Sequence, residues 1–295
     1  MNSKLINKIG AAGFNPSQST GFWRGACNRF CYNYFALGSL IFILVLAILC
    51  IIIPLISRHE YSTTDFANSL IPPNSMYWFG SDGLGRDLFV RCFIGGRITF
   101  EIAVAATVVV LFIGVMYGSI AGFLGGKIDN LMMRIVDVLY GIPFLFFSIL
   151  LLALFGQSLV LSFVAIAAIS WLDMARVVRG QTLSLRNREF VEAAYICGVS
   201  KFKIITRHII PNLIGVVIVY AALVVPNMIV LSAVLSFFGL GVMEPMTSWG
   251  LLISDGSKNM SSWWLLLFPA LLMLLTLLAF TFVANGLRDA LDSDS

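Results

Sequence analysis

Residues able to do chemistry are sparse in this chain, and their spacing limits what they could do. The two histidines, His59 and His208, stand alone in connecting stretches, so no catalytic base is expected. The five cysteines (Cys27, Cys31, Cys50, Cys92 and Cys197) show no paired metal spacing and have no accompanying histidine pair, so no metal site is expected either. Phe79-Gly-Ser-Asp-Gly-Leu-Gly-Arg-Asp87 is glycine-rich, but it fits neither phosphate-cradling pattern and no strand precedes it. No Walker A, zincin or G-x-S-x-G pattern occurs, and catalytic residues are accordingly expected to be none. One stretch does carry a definite pattern: Glu192-Ala-Ala-Tyr-Ile-Cys-Gly198, continuing through Val199 to Ile209, Ile210 and Pro211. Its residues suit two short helices with a break between them rather than a reaction centre. Phe190, Ala193, Ala194 and Cys197 recur at helical spacing as a small, flat apolar face. Gly198 suits a helix C′ position, where φ > 0 is needed. Ser200 can cap a second helix whose Phe202, Ile205 and Ile209 face one way while Lys201, Lys203 and Arg207 stay solvated. Pro211 marks a boundary or kink before the next apolar run.

The elements that must position this stretch are set by composition. Of 295 residues, 59% are hydrophobic and only 12% charged, with a mean hydropathy of +0.93. Soluble domains carry roughly 25% charged residues, so a polytopic all-α membrane protein is expected. The net charge of +4 is no nucleic-acid footprint, because the basic residues cluster beside apolar spans. Residues up to Asn33 carry Lys4, Lys8, Arg24 and Arg29 and no acid, which places them in the cytoplasm by the positive-inside rule. No cleavable signal peptide is expected. Phe22, Trp23, Ala26, Cys27 and Phe30 could form one face of a short interfacial helix; a loose polar tail is the equal alternative.

Six spans follow: 35–56, 98–123, 133–155, 159 to about 178, 214–237 and 263–284, each near the length that crosses a hydrocarbon core of roughly 30 Å. Arg86, Arg91 and Arg97 fall outside the membrane against the charge rule, with Asp82, Asp87 and Glu101 as neutralising neighbours. Arg134 and Asp137 are spaced to pair on one face. The loop 173–212 holds seven basic residues against three acids, Asp173, Glu189 and Glu192, and is therefore expected inside. Pro226-Asn227 interrupts the fifth span, and a carbonyl freed there must face protein or a watery path. Trp263 and Trp264 suit an interfacial anchor. Six spans with both termini cytoplasmic satisfy every inner loop.

Glu-Ala-Ala, three residues, Gly and then thirteen positions to a Pro resembles the EAA loop of binding-protein-dependent ABC import permeases, with His208 where that pattern has an apolar residue. Other segments point to the dipeptide, oligopeptide and nickel branch of that family. Phe79–Asp87 is similar to its Phe-Gly-Thr-Asp-x-x-Gly-Arg-Asp, with Ser81 in place of Thr. Gly239-Leu-Gly241 and Ser248-Trp-Gly250 are similar to its Phe-Leu-Gly-Leu-Gly … Ser-Trp-Gly. The run Ser170-Trp-Leu-Asp-Met-Ala-Arg-Val-Val-Arg-Gly-Gln-Thr-Leu-Ser184 resembles the C-type permeases of oligopeptide importers. The resemblance runs from Asn33 onward.

That resemblance implies the type I (MetI-like) transmembrane-domain fold. An N-terminal segment with the first span and external loop would occupy 1–96, the permease domain 97–286 and a cytoplasmic tail 287–295. It implies a non-catalytic subunit in a bacterial cytoplasmic (inner) membrane that moves oligopeptides delivered by an external solute-binding protein. Its partners would be a homologous B-type permease and two ATPase subunits, which would bind the ATP and magnesium; this chain would need no cofactor. Glu192, Ala193, Ala194, Gly198, Ile209 and Pro211 would form the coupling surface on the ATPase. Pro226, Asn227 and Ser232 are candidates to line the pore. A dipeptide or nickel permease is the alternative within the branch. A secondary transporter would need coupling carboxylates near mid-membrane, where these spans have almost none, and a channel would not need the docking loop.

Overall fold

A computed structural model describes residues 16–57 and 61–291. Among these residues the chain is helical apart from turns and one isolated bridge between Ser81 and Asp87. The helices are α1 (Pro16–Tyr32), α2 (Tyr34–Ile56), α3 (Leu88–Leu124), α4 (Gly126–Tyr140), α5 (Phe144–Phe155), α6 (Leu159–Arg186) and α7 (Glu189–Ile196). A long helix α8 (Lys201–Phe237) follows, then α9 (Trp249–Lys258) and α10 (Trp264–Leu291). Five of them, α2, α3, α6, α8 and α10, are long and apolar enough to cross a membrane. The pair α4–α5 passes the same test together but bends by 78°, so the described residues hold five candidate spans, or six with this bent pair counted as one.

The break has a local cause. Pro143 cannot donate a backbone hydrogen bond, and it pushes the residue before it out of helical geometry. The expected third span, 133–155, therefore starts earlier, at Gly126, and stops before Pro143, which begins α5 as its N-cap residue. Pro211 behaves differently. It lies inside α8, not at a boundary, and the turn before it opens into a π-helical stretch, Ile205–Ile209. Pro211 cannot donate to the Arg207 carbonyl, while the Ile210 N–H reaches back five residues to the Ile205 carbonyl, so the helix passes the proline by widening.

The tightest packing joins α3 to α6. Gly114, Gly118 and Gly122 form one stripe of α3, and a Cβ at Gly118 would sit 2.4 Å from the Ala175 carbonyl oxygen. At Gly114 it would lie 2.5 Å from the Met174 Cβ. Small residues at this spacing let two backbones touch, the usual route to helix association where lipid supplies no hydrophobic drive. At the same end Asp129 of α4 accepts two hydrogen bonds from the Arg179 guanidinium of α6, at 2.5 and 2.7 Å. Arg134 and Asp137 do not pair as their spacing suggested. Asp137 instead accepts from Arg176 of α6 at 2.9 Å, and that guanidinium lies 4.4 Å over the Tyr140 ring.

At the other end of the molecule the glycine-rich segment folds as a loop that caps α3. The Asp82 carboxylate accepts backbone N–H bonds from Leu84 and Arg86, both at 2.9 Å. Gly85 has φ +74, and a Cβ there would overlap the Asp65 carbonyl. Asp87 then caps α3 by accepting from the Phe89 N–H. The arginines that broke the charge rule are neutralised locally: Arg86 by Asp82 at 2.7 Å and Glu244 at 2.9 Å, Arg97 by Glu101 at 2.8 Å. Burial works against the Arg86 charge, but its bonds to Glu244 and Asp82 outweigh it and hold its pKa above the ordinary arginine value. Arg91 is fully buried beside Asp82, 3.3 Å away.

The region 239–262, between the last two expected spans, contains the helix α9. In the Ser248-Trp-Gly250 run each residue has a separate task. The Ser248 hydroxyl accepts from the Leu251 N–H as the N-cap of α9. Trp249 is fully buried and its indole N–H donates to the Cys92 carbonyl at 2.9 Å. Gly250 lets α9 meet α8, since a Cβ would lie 2.5 Å from the Ala233 Cα. Trp264 is buried, with its indole N–H on the Ser81 carbonyl at 3.2 Å; only Trp263 is exposed as an interfacial anchor would be. At the N-terminal side α1 packs on the end of α10: Phe30 is buried, and Arg29 donates twice to the Ala290 carbonyl. Of the proposed interfacial face, Ala26 is buried and Cys27 exposed, while the Phe22 and Trp23 side chains lie outside the described residues. The tail 287–295 is helical to Leu291, and its last four residues lie outside the described range, as does His59.

Candidate functional site

The docking stretch folds as two helices joined by a tight turn. After α6 ends at Arg186, α7 runs for two turns, with Glu189 and Glu192 at its N-terminal end where the helix dipole favours negative charge. It closes in a Schellman motif: the Gly198 N–H donates to the Tyr195 carbonyl at 3.0 Å and the Val199 N–H to the Ala194 carbonyl at 3.1 Å. Gly198 has φ +75 with open space around its Cβ position. Its role is thus conformational, as the sequence indicated.

The two faces of α7 differ from the expected single flat face. Val191 and Ala194 point inward and join the main apolar core with Ile204, Ile205 and Ile209. Ala194 is only 8% exposed. Outward lie Phe190, Glu192, Ala193, Tyr195, Ile196 and Cys197. Tyr195 and Ile196 are 58% and 79% exposed, an arrangement that puts apolar surface in contact with water. On α8, Ile205 and Ile209 are buried as expected, but Phe202 is 64% exposed and Ile204 takes its place inside. The π turn shifts the register of the buried face, and sequence spacing alone does not anticipate it. Pro211 is exposed. The coupling candidates therefore divide: Ala194 and Ile209 hold the knuckle to the helices, while Glu192, Ala193 and Gly198 are displayed. Beside them a groove of about 420 Å³ opens between the end of α3 and α7, lined by Leu124, Arg186, Val191, Glu192, Tyr195 and Lys201.

Of the pore candidates, Asn227 and Pro226 line a cavity of about 440 Å³ between α8 and α10, with Tyr220 and Thr281. Asn227 and Tyr220 also line a second cavity of about 220 Å³, where they meet Ser170 and Asp173 of α6. Ser232 departs from expectation. It is buried among the helices and lines neither cavity, because it lies more than a turn beyond Asn227 and on a different face of α8. Asp173, counted with the inner segment, lies on α6, which runs beyond the expected span as one helix to Arg186, and it faces open space. No group of three or more His, Cys, Asp or Glu among the described residues is placed to hold a metal ion.

A helical component with five or six candidate spans, proline-bearing helices and a projecting knuckle is a polytopic membrane protein. Comparison with known families agrees: residues 114–294 match the binding-protein-dependent transport system inner membrane component, and residues 21–73 match the N-terminal TM domain of oligopeptide transport permease C. The chain belongs to this family. It is 51% identical to the oligopeptide transport system permease protein OppC of Escherichia coli K12, over 93% of this chain and 92% of the relative. It is 43% identical to the OppC of Bacillus subtilis over 93% of this chain and 90% of that one. The dipeptide transport system permease protein DppC of B. subtilis is 41% identical, over 93% and 86%. A solved structure of the MetNI methionine ABC transporter in inward-facing conformations superposes with a TM-score of 0.57 at 14% identity, covering 65% of this chain and 93% of that chain. That likeness establishes the shared fold.

Proposed function

We propose that this chain is the C-type permease subunit of an ATP-driven importer that carries oligopeptides across a bacterial cytoplasmic membrane. In this reading an external solute-binding protein delivers the peptide, a homologous B-type permease completes the path, and two cytoplasmic ATPase subunits supply ATP, magnesium and hydrolysis. In this reading both termini and the knuckle that follows α6 lie in the cytoplasm. The observation that carries the reading is the knuckle itself: α7 displays Ala193, Tyr195 and Ile196 to water while Val191 and Ala194 root it in the core. Exposed apolar surface on a rigid, capped turn is a docking surface. Glu192 can pair with a basic group or a helix N-terminus on the ATPase. Movement of the docked ATPases would then be transmitted through Ile204, Ile205 and Ile209 into α8, whose Pro226–Asn227 region lines the path.

The identity to OppC relatives favours oligopeptides; the 41% identity to a dipeptide permease supports dipeptides as the second reading. The experiment is reconstitution of the chain with its B-type partner, ATPases and binding protein in vesicles. ATP-dependent uptake of a labelled oligopeptide is expected, with no ATP binding or hydrolysis by this chain alone. Uptake driven by an ion gradient without ATP would overturn the assignment, and uptake of dipeptides only would select the second reading.

A further inference from the structure

Two of the arginines that α6 carries are held by partners. Arg176 pairs with Asp137 and stacks on Tyr140, and Arg179 pairs with Asp129. Asp173 lies one turn from Arg176 on the same helix, yet among the described residues no hydrogen bond or ion pair holds its carboxylate. It is exposed on α6, toward the end of the expected span 159–178. An ionisable side chain within a span normally faces a partner or a watery path. Here it faces the cavity that it shares with Ser170, Tyr220 and Asn227. The Ser170 hydroxyl is engaged with the Ile166 carbonyl. The Tyr220 hydroxyl and the Asn227 amide carry no hydrogen bond among the described residues.

The cavity therefore presents one anionic acceptor, one hydroxyl and one amide, each with capacity to spare. Tyr220 and Asn227 also line the adjoining cavity toward Thr281, so the polar groups form a line along one face of α8, between apolar walls of Val224 and Val230. A simple anion would be repelled by Asp173. A neutral apolar solute would leave three polar groups unpaired. The complement of this set is an ammonium group carried on a chain with amide N–H and C=O groups.

We propose that Asp173, with Tyr220 and Asn227, is a transit site that receives a cationic ammonium of the translocated peptide, Asp173 taking the charge and Asn227 the neighbouring peptide bond. The inference rests on the peptide-importer reading. The carboxylate meets the ammonium by a charge-assisted hydrogen bond, and Asn227, which can both donate and accept, can match either group of a peptide unit. The site lowers the cost of carrying a charge through an apolar passage without the tight binding that would stall release. The ammonium can come from the peptide's N-terminus or from a lysine side chain.

The test measures uptake in vesicles holding the complete transporter, at saturating loaded binding protein, for two peptide pairs. One pair differs by N-terminal acetylation, the other by Lys against Glu at one internal position. In the wild type the ammonium-bearing member of at least one pair enters faster, and which pair does so tells the N-terminus from the side chain. Asp173→Asn should reduce that preference by about three- to tenfold, the upper figure being about 1.4 kcal/mol of differential interaction. Asp173→Glu should restore it, and Asn227→Asp should widen it. Assembly with the partner permease is followed by co-purification from the same membranes. If Asp173→Asn assembles normally and keeps the wild-type ratios, the proposal fails. If Asp173→Asn loses the partner permease while Asn227→Asp leaves the ratios untouched, Asp173 is an interface residue and the proposal also fails. Absence of ATP-driven peptide uptake by the wild type would instead remove the importer reading beneath it.

Discussion

Neighbouring alanines on α7 should respond in opposite ways to the same substitution. Ala193 faces water, whereas Ala194 is 8% exposed and packs with Val191 against Ile204 and Ile205. Ala193→Leu adds side-chain volume where nothing in this chain opposes it, so folding should change by no more than about 0.5 kcal/mol. At a docked interface the same volume holds two flat surfaces apart. A loss of about 1.4 kcal/mol there lowers ATPase affinity tenfold. Ala194→Leu forces the volume into a filled site, where overpacking costs about 1–3 kcal/mol, and strains the turn whose Val199 N–H bonds to the Ala194 carbonyl. The assay has two parts: titration of the ATPase subunits onto purified permease, and thermal unfolding of the permease in detergent. Ala193→Leu should shift half-saturation about tenfold with an unchanged melting temperature, and Ala194→Leu should lower the melting temperature. Normal docking by Ala193→Leu would refute the assignment of this surface. Unchanged melting of Ala194→Leu would refute the claim that the inner face anchors the knuckle.

Gly118→Leu should prevent close approach of α3 and α6, since even a Cβ would sit 2.4 Å from the Ala175 carbonyl oxygen; the readout is loss of monodisperse permease and a melting temperature well below that of an exposed control such as Gly180→Leu. Cysteine labelling from outside intact cells, in a background freed of native cysteines, should reach Asn68→Cys and Met260→Cys but not Leu183→Cys, and the reverse pattern would overturn the orientation. Burial raises the Asp255 pKa despite Lys258 beside it. The folded state therefore binds that proton more tightly than the unfolded one, and this contribution is largest below the unfolded value and is lost as pH rises through the folded value. Asp255→Asn should accordingly flatten the pH dependence of thermal stability across and above the ordinary carboxylate range; an unchanged profile would refute the shift.

The apolar run of α2 and the start of α10 were legible almost to the residue, because a span needs a minimum length and little else competes; α10 runs on to Leu291, beyond the apolar run. The starts of α3 and α8 were not. Leu88–Arg97 contains two buried or paired arginines, so hydropathy hides a helix whose charges are neutralised by Asp82 and by Glu101. Lys201–Ile210 continues helically through Pro211 only because of the π turn, a backbone accommodation that no residue type announces. Gly198 was readable from its type, since the turn leaves little choice. The division between Ala193 and Ala194 was not, because spacing shows which residues share a face but not which of two adjacent faces meets the core. Glu244 lies far along the chain from Arg86, and Asp173 was masked by the basic residues that follow it.

The glycine stripe of α3 restricts how this protein can change shape. Where Gly114, Gly118 and Gly122 bring two backbones into contact, no side chain lies between them to rotate and absorb a slide. The Asp129–Arg179 clasp removes the remaining freedom at one end. α3 and α6 thus form a single stiff beam. The contrast lies close by, at Gly141–Pro143, where α4 and α5 part by 78° without a continuous hydrogen-bond ladder. Under the proposed coupling, a force arriving at the knuckle would meet a strut on one side and this bend on the other, and the displacement would be steered toward the bend.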